Sequence, residues 1–322
     1  MIHSRKAMIC GISGQDGSYL ANFLIKKGYV VVGTSRDSHA GSFGNLKKLG
    51  ILDKVKVVSM ALNDFRSVIQ ILSEVEPDEI YNLSGQSSVA LSFEQPVETL
   101  DSISLGTINL LEGVRFLKKD VKIYNASSSE CFGNTGILRA NEETPFKPTS
   151  PYAVAKSAAH WQVASYRSSY NLFACSGILF NHESPFRNER FVTQKIVQSA
   201  FRISKGVDEK LTLGNLDIER DWGWAPEYVE AMWLMLQHDV PDDFVIATGK
   251  SFTLTNYLEC VFSNFNLNWQ EYVEVNEKFV RPSDNKFSRA DPSKAKEIIA
   301  WQAKSFMPDI VEKMVSNLNA SQ

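Results

Sequence analysis

The chain has 322 residues, of which 43% are hydrophobic and 22% charged, and its formal net charge is -3. These values are typical of a globular protein with one large core or two lobes. The lack of a long basic run argues against nucleic acid or a membrane surface as a partner, and no apolar run reaches membrane-spanning length.

The cysteines and histidines give a second exclusion. The four cysteines and five histidines are scattered and show no metal-ligand spacing, so we predict no metal site. The first residues lack the apolar region of a signal peptide. We therefore expect a cytoplasmic protein with free, mostly buried thiols.

The first predicted elements are a strand over residues 7–12 and a helix over 18–27, joined by a glycine loop. The loop contains Gly11, Gly14 and Gly17. Glycines in a strand–turn–helix context permit a tight turn, a close approach of the backbone to a pyrophosphate, and close helix–strand packing. The spacing is G-x-x-G-x-x-G, and the context rather than the glycines alone predicts a dinucleotide site.

The second predicted strand, over 29–33, leads to Arg36. At this strand end an acidic residue binds the ribose 2′-hydroxyl of NAD, whereas an arginine accommodates the 2′-phosphate of NADP. No Asp or Glu occurs between the start of this strand and Asp37, so Arg36 favours NADP. The alternative is that Arg36 is an ordinary solvated surface residue.

The rest of the chain first alternates between strands and helices and then becomes irregular. We predict strands over 55–60, 79–83, 121–126, 172–180, 210–213 and 244–247. We predict helices over 64–74, 97–118, 152–169, 191–205, 227–237, 254–265 and 292–299. The alternation predicts βαβ units and a parallel sheet.

The predicted fold class is therefore α/β, with a Rossmann-type doubly wound parallel sheet and a smaller, interleaved C-terminal substrate lobe. We expect residues 1–176 to form the cofactor-binding domain, with 218–248 returning to it. Residues 177–217 and 249–322 are expected to form the substrate lobe.

Two pairs of reactive side chains lie in the middle of the chain. Ser128 and Glu130 follow an apolar strand, and Tyr152 and Lys156 lie at the start of a helix. Residues two apart on a strand, or four apart on a helix, share a face, so both pairs can point at one target. Taken alone, the Tyr–Lys pair could equally be an ordinary exposed i,i+4 pair.

These residue types suit proton transfer coupled to hydride transfer. We expect the Lys156 ammonium group to lower the pKa of Tyr152 from about 10, so that Tyr152 takes a proton from a sugar hydroxyl while a hydride leaves the same carbon. Ser128 would hydrogen-bond that hydroxyl. Glu130 would then serve a different proton.

The glycine loop, Ser128 and Tyr152-x-x-x-Lys156 resemble the extended short-chain dehydrogenase/reductase family. Within it, segments along essentially the whole chain resemble the GDP-mannose 4,6-dehydratases: residues 14–20, 127–130, 150–156, 177–185, 191–195, 213–215, 220–223 and 281–282. The segments Asn-His-Glu-Ser-Pro and Arg-Asp-Trp-Gly are far more specific than the glycine loop.

The resemblance implies an NADP-dependent lyase that converts GDP-mannose to GDP-4-keto-6-deoxy-mannose by intramolecular hydride transfer from C4 to C6. Tyr152 would remove the O4 proton, and Glu130 would abstract the C5 proton and help to expel the C6 hydroxyl. Lys156 would also hold the nicotinamide ribose. A homodimer or homotetramer is implied as well.

The resemblance also implies two sets of binding residues. The cofactor-binding positions are Gly11, Ser13, Gly14, Gln15, Asp16, Gly17, Arg36, Leu62, Leu83, Ser84, Tyr152, Lys156 and His182. The substrate-binding positions are Ser87, Asn181, Lys195, Gly214, Asn215, Arg220, Arg281 and Asp284. A pyrophosphate favours Arg and Lys clamps, although any one of these cations alone would suggest a surface salt bridge.

Four positions depart from the family pattern. Ser128 replaces the usual threonine, Cys10 precedes the first glycine in place of a threonine, Ala61 stands where an aspartate contacts the adenine, and Asp284 stands where a glutamate is usual. The departures at Ser128, Ala61 and Asp284 leave room for a related GDP-sugar substrate, such as a GDP-manno-heptose.

Two other functions are compatible with parts of this sequence. A GDP-4-keto-6-deoxy-sugar reductase or an epimerase would use the same fold, but epimerases generally lack a carboxylate at the position of Glu130, and the segment over 181–185 resembles the dehydratase version. A non-catalytic NADP-binding protein would have no need for the complete set of Ser128, Glu130, Tyr152 and Lys156.

Overall fold

The computed structural model describes residues 4–207, 209–280 and 282–320, with side chains up to residue 318. Strands and helices alternate through the first half: β1 (Lys6–Cys10), α1 (Gln15–Lys26), β2 (Val30–Ser35), α2 (Gly44–Lys48), β3 (Val55–Ser59), α3 (Phe65–Val75), β4 (Glu79–Asn82), α4 (Val89–Glu94), α5 (Pro96–Leu100), α6 (Gly106–Phe116), β5 (Lys122–Ser128), α7 (Pro151–Tyr170) and β6 (Ala174–Leu179).

The second half has shorter elements. They are β7 (Asn181–Glu183), α8 (Val192–Ser204), β8 (Leu211–Leu213), β9 (Glu219–Trp224), α9 (Ala225–Gln237), β10 (Phe244–Ile246), β11 (Ser251–Thr253), α10 (Leu254–Ser263), β12 (Val273–Val275), β13 (Phe287–Ser288), α11 (Ser293–Ile299) and α12 (Met307–Ala320). No helix among the described residues is long and apolar enough to span a bilayer.

The large sheet has seven strands in the order β10-β6-β5-β4-β1-β2-β3, and all of its pairings are parallel. Its central strands are apolar on both faces because helices cover both sides, which is why β1 and β6 are almost completely buried. The strand order reverses between β1 and β4, and a doubly wound sheet binds ligands at such a point. The predicted Rossmann-type α/β fold is confirmed.

A second layer of short strands lies beyond the large sheet. β9 is its centre: it pairs with β7, β11 and β13, while β8 and β12 form a separate two-stranded sheet. A second apolar core, which includes Trp222, Tyr257 and Phe262, packs beneath these strands. The proposed division into a cofactor domain and a substrate lobe stays a prediction.

The predicted helix over 97–118 is wrong in one respect. Instead of one regular helix, α5 and α6 are joined by a π-helical turn over Asp101–Leu105. The turn brings the Ser102 hydroxyl to the loop after β4, where it accepts a hydrogen bond from the backbone N–H of Gln86 at 3.3 Å. Apolar periodicity alone does not distinguish α from π turns, since both are helical.

A buried carboxylate connects β9 to the loop that follows β10. Asp221 is fully buried and accepts hydrogen bonds from the Thr248 amide at 2.9 Å, the Thr248 hydroxyl at 2.8 Å and the Gly249 amide at 2.7 Å. Burial raises the pKa of Asp221 to about 6, while these hydrogen bonds act in the opposite direction. Asp221 therefore joins the second layer of strands to the large sheet.

We expect Asp221→Asn to lower the free energy of unfolding by about 1–3 kcal/mol, because an amide NH2 group would face a backbone N–H that needs an acceptor. Urea denaturation measures the change. Asp239→Asn, at an exposed position, is the matched control and should unfold like the unaltered protein. Equal stability of the two variants would contradict the structural role of Asp221.

Candidate active site

Two adjoining cavities open at the carboxyl edge of the large sheet. The larger, of about 720 Å³, lies over the glycine loop after β1. The smaller, of about 200 Å³, lies over the end of β5 and the start of α7. Asp16 and the segment over 83–87 border both cavities. One ligand in the larger cavity can therefore meet a second ligand in the smaller.

The glycine loop has the close packing that a dinucleotide requires. Gly11 adopts φ +86°, and a Cβ on Gly17 would lie 2.3 Å from the Gly11 carbonyl oxygen. No side chain caps the start of α1 at Gly14, and the first turn of the helix lines the larger cavity, so its uncapped N–H groups lie at the cavity wall. A helix N-terminus with free N–H groups fits a pyrophosphate.

All the predicted cofactor-binding residues border these cavities. The larger one is lined by Gly11, Ser13, Gly14, Gln15, Asp16, Gly17, Arg36, Leu62, Leu83 and Ser84, and the smaller one by Tyr152, Lys156 and His182. Arg36 lies beyond the end of β2, where its guanidinium is 3.7 Å from the Glu98 carboxylate and 85% exposed. Their roles in binding stay predictions.

The catalytic pairs predicted from the sequence meet in the smaller cavity. Ser128 is the last residue of β5, while Tyr152 and Lys156 lie on the first turns of α7, and all three are buried. The Lys156 ammonium group donates to the Ala126 carbonyl at 2.7 Å and lies 5.9 Å from the centre of the Tyr152 ring. Burial lowers the pKa of Lys156 to about 8.

The expected direction of the Tyr152 pKa is wrong for this structure. Burial raises the pKa of the Tyr152 phenol well above its usual value, while a hydrogen bond with the Ser128 hydroxyl and the charge of Arg187 act to lower it. The Glu130 carboxylate raises it further. Removal from water outweighs the effects of Ser128 and Arg187, since an apolar surrounding disfavours the phenolate.

Glu130 reaches the same cavity by a different route from the one expected. Glu130 is not on the strand but in a 3-10 turn over Ser129–Phe132. The Ser128 hydroxyl caps this turn by accepting a hydrogen bond from the Glu130 backbone N–H at 3.2 Å. The turn still directs Glu130 into the cavity that holds Tyr152. The Glu130 carboxylate and the Tyr152 phenol can therefore act on one ligand.

His182 and Asp16 form an ion pair where the cavities meet. The His182 Nδ1 lies 2.7 Å from the Phe180 carbonyl oxygen, and its Nε2 lies 2.9 Å from Asp16 Oδ2. Both partners are acceptors, so both ring nitrogens carry a hydrogen and the imidazole is charged. Burial lowers the pKa of His182, but the charge and hydrogen bond of Asp16 outweigh it, so the pKa is raised.

The His182–Asp16 pair also shifts the pKa of the Asp16 carboxylate. Burial raises the pKa of Asp16, and the charge and hydrogen bond of His182 outweigh this effect, so that the pKa is lowered overall. The His182 ring also stacks on Tyr228, with 4.6 Å between ring centres. The pair therefore holds the first turn of α1 against β7.

The predicted substrate-binding residues are only partly brought together. Ser87, Asn181 and Arg220 line the smaller cavity. The other described members of the set lie outside the cavity linings: Lys195, Gly214, Asn215 and Asp284. Arg281 lies outside the described residues.

Lys195 and Asp284, which lie outside the cavity linings, make contacts within the protein. Lys195 donates to the Thr212 carbonyl at 2.7 Å and lies over the Phe279 ring at 5.1 Å. Asp284 lies 3.1 Å from the Arg220 guanidinium and so holds a residue of the cavity wall. Their contact with a substrate stays a prediction.

Two arginines that sequence reasoning missed border both cavities. Arg187 is mostly buried, lies 3.7 Å from the centre of the Phe191 ring, and has its Nε 3.4 Å from the Glu183 carboxylate. Arg190 is exposed, and its Nε donates to Asn188 at 3.3 Å. The sequence does contain a signal for them, because both arginines follow within five residues of the family-specific segment over 181–185.

The parallel sheet, the glycine loop and the Ser–Tyr–Lys set define a Rossmann-fold enzyme of the short-chain dehydrogenase/reductase type. The sequence model of the GDP-mannose 4,6 dehydratase family matches residues 8–314. The chain belongs to the GDP-mannose 4,6-dehydratase family. The predicted family and the predicted class of enzyme, a nucleotide-sugar 4,6-dehydratase, are confirmed.

Known proteins agree with this assignment. The chain is 46% identical over 326 residues to GDP-mannose 4,6 dehydratase 2 of Arabidopsis thaliana, covering 98% of this chain and 87% of that one. It is 42% identical over 334 residues to the human GDP-mannose 4,6 dehydratase, covering 96% and 90%. The crystal structure of dTDP-glucose 4,6-dehydratase from Bacillus anthracis, in complex with NAD, shares the fold with a TM-score of 0.86 at 19% identity, covering 99% and 98%.

The His182–Asp16 pair predicts a pH-dependent stabilisation. A raised His182 pKa stabilises the fold fully below about 6.5, the unfolded value, and this part is lost as pH rises through the raised pKa. A lowered Asp16 pKa stabilises the fold above about 3.9 and is lost as pH falls. His182→Gln should therefore lower the free energy of unfolding by about 1–3 kcal/mol near pH 6, and by less near pH 9.

Urea denaturation at the two pH values measures this difference. The exposed His39→Gln is the matched control, which should leave stability unchanged at both. A loss in His182→Gln that is equal at both pH values would argue against a charged pair.

Proposed function

We propose that this protein converts GDP-mannose to GDP-4-keto-6-deoxy-mannose by an internal redox cycle. The observation that carries the proposal is the meeting of Glu130 with Ser128, Tyr152 and Lys156 in one cavity. Proton transfers at two different carbons need two acid/base groups, and Tyr152 and Glu130 are two such groups in reach of one ligand.

We propose NADP as the cofactor, held in the larger cavity. The start of α1 and the glycine loop would hold the pyrophosphate, and Arg36 would pair with the 2′-phosphate. Arg187 would add positive charge where the two cavities join. When bound, NADP would supply the hydride acceptor for C4 of the sugar and the hydride donor for C6.

The residues of the chain would divide the proton transfers as follows. Tyr152 would take the O4 proton as the hydride leaves C4, so that C4 becomes a ketone. Because burial raises the pKa of the phenol, the phenolate would form only when Lys156, Arg187 and the positive charge of a bound oxidised nicotinamide together lower that pKa. The ketone acidifies C5, and Glu130 takes the C5 proton and passes it to the C6 hydroxyl, which leaves as water. C5 then takes a proton from solvent and Tyr152 releases its own, so the net change is the loss of one water.

The remaining residues would bind and orient the sugar nucleotide. Ser128 would hydrogen-bond O4, and Lys156, fixed on the Ala126 carbonyl, would hold the nicotinamide ribose and stabilise the phenolate. Arg220 is buried and held by Asp284, so it is already oriented for a phosphate. The proposed substrate lobe over 177–217 and 249–322 would contribute Asn181 and the Asp284 that holds Arg220.

Incubation with GDP-mannose tests the reaction. We expect a product lighter than the substrate by one water in mass spectrometry, with no consumption of added cofactor, because the hydride returns to the sugar. Denatured protein should release NADP(H) rather than NAD(H). If only another GDP-sugar, such as a GDP-manno-heptose, loses water, the substrate is wrong and the reaction stands. Loss of water from no GDP-sugar would overturn the proposal.

Glu130→Gln tests the role of the carboxylate. The amide cannot take a proton, so we expect product formation to fall by roughly 100-fold or more, together with solvent-deuterium exchange at C5, while NADP binding is unchanged. The exposed Glu143→Gln is the matched control and should react normally. Unchanged turnover in Glu130→Gln would remove Glu130 from the mechanism.

A further inference from the structure

The carboxylate of Glu130 has a side-chain partner from the far end of the chain. The Asn285 Nδ2 donates a hydrogen bond to Glu130 Oε2 at 3.1 Å. Asn285 is 6% exposed, so this bond is largely shielded from water. Asn285 itself has no part in the proton transfers proposed for Tyr152 and Glu130.

The orientation of the Asn285 amide follows from its two partners. An ionised carboxylate only accepts hydrogen bonds, so the NH2 group must face Glu130. The opposite end of the amide, Oδ1, accepts from the Thr149 hydroxyl at 3.2 Å. A flipped amide would place its oxygen against the carboxylate, and Thr149 therefore helps to keep the donor in place.

The backbone around Asn285 is firmly held. Asn285 lies two residues before β13, which pairs with Glu219 and Arg220 of β9. The Glu219 amide donates to the Lys286 carbonyl at 2.8 Å, and the Phe287 amide donates to Asn134 Oδ1 at 3.0 Å. Asn134 lies just after the turn that contains Glu130. The backbone that follows Asn285 is therefore held both by β9 and by the residue after the Glu130 turn.

We propose that Asn285 is a positioning residue for Glu130. With Oε2 held by Asn285, the second carboxylate oxygen is directed to the C5 proton. The inference rests on the proposed function of Glu130. It adds that one bond from the segment before β13 controls the water-loss half of the reaction and not the hydride transfer from C4.

Single-turnover kinetics of Asn285→Leu, which has a similar shape but no donor, separates the two halves. Enzyme loaded with NADP is mixed with GDP-mannose while the absorbance of reduced nicotinamide and the amount of keto-deoxy product are followed. We expect hydride loss from C4 to change by less than about twofold and product formation to slow by about 10- to 100-fold. Reduced nicotinamide should then accumulate during the turnover.

Further variants sharpen the result. Asn285→Asp should slow product formation at least as much, because two carboxylates would then face each other. Thr149→Val, which removes only the outer hydroxyl, should cause a smaller loss in the same step. Asn264→Leu is the same substitution at an exposed position at the end of α10 and should leave both steps unchanged. Thr149→Val and Asn285→Asp keep the test open if Asn285→Leu does not fold.

The outcomes separate this inference from the proposed function. If Glu130→Gln blocks product formation but Asn285→Leu and Asn285→Asp leave it unchanged, the positioning role is wrong and the function stands. If the Asn285 variants slow both halves equally, Asn285 supports the fold of the site and not Glu130, and the inference fails. If Glu130→Gln reacts normally, the proposed mechanism itself fails.

Discussion

The site depends on the hydrogen bond from the Lys156 ammonium group to the Ala126 carbonyl, which is 2.7 Å long. It joins the first turns of α7 to the last residues of β5, and so sets Tyr152 against Ser128. A buried ammonium group is unfavourable without such a partner, and burial lowers the pKa of Lys156 to about 8. β5 and β1 both end at the carboxyl edge of the parallel sheet, so Tyr152 and Ser128 lie at the same edge as the glycine loop.

The acid/base groups are held by different means. Tyr152 lies on a long helix and is oriented by secondary structure, whereas Glu130 lies in a short 3-10 turn that leaves its carboxylate to be oriented by a partner. The bond from Asn285 supplies that partner. Two proton transfers at neighbouring carbons require two groups with independent orientation, and this arrangement has them.

Much of the fold followed from the sequence because the large sheet has strong local signals. The apolar runs of β1 and β6 and the helical periodicity of α7 predict elements that the structure contains within a few residues. The strands around β9 were missed, since three-residue strands such as β7 and β11 have too few residues for a period to be visible. The π-helical turn was missed because it preserves a helical apolar pattern.

For the site, the sequence by itself determined the reactive residue types and the chemistry they can perform: the glycine loop, Ser128, Glu130 and the Tyr152–Lys156 spacing are all local features. The tertiary structure decided what depends on surroundings. Burial reversed the expected direction of the Tyr152 pKa, because desolvation is set by packing and not by sequence distance. It also brought Asn285 to Glu130 across 155 positions of the chain, a contact that no local pattern encodes because two remote segments meet only when the sheet and the strands around β9 have formed.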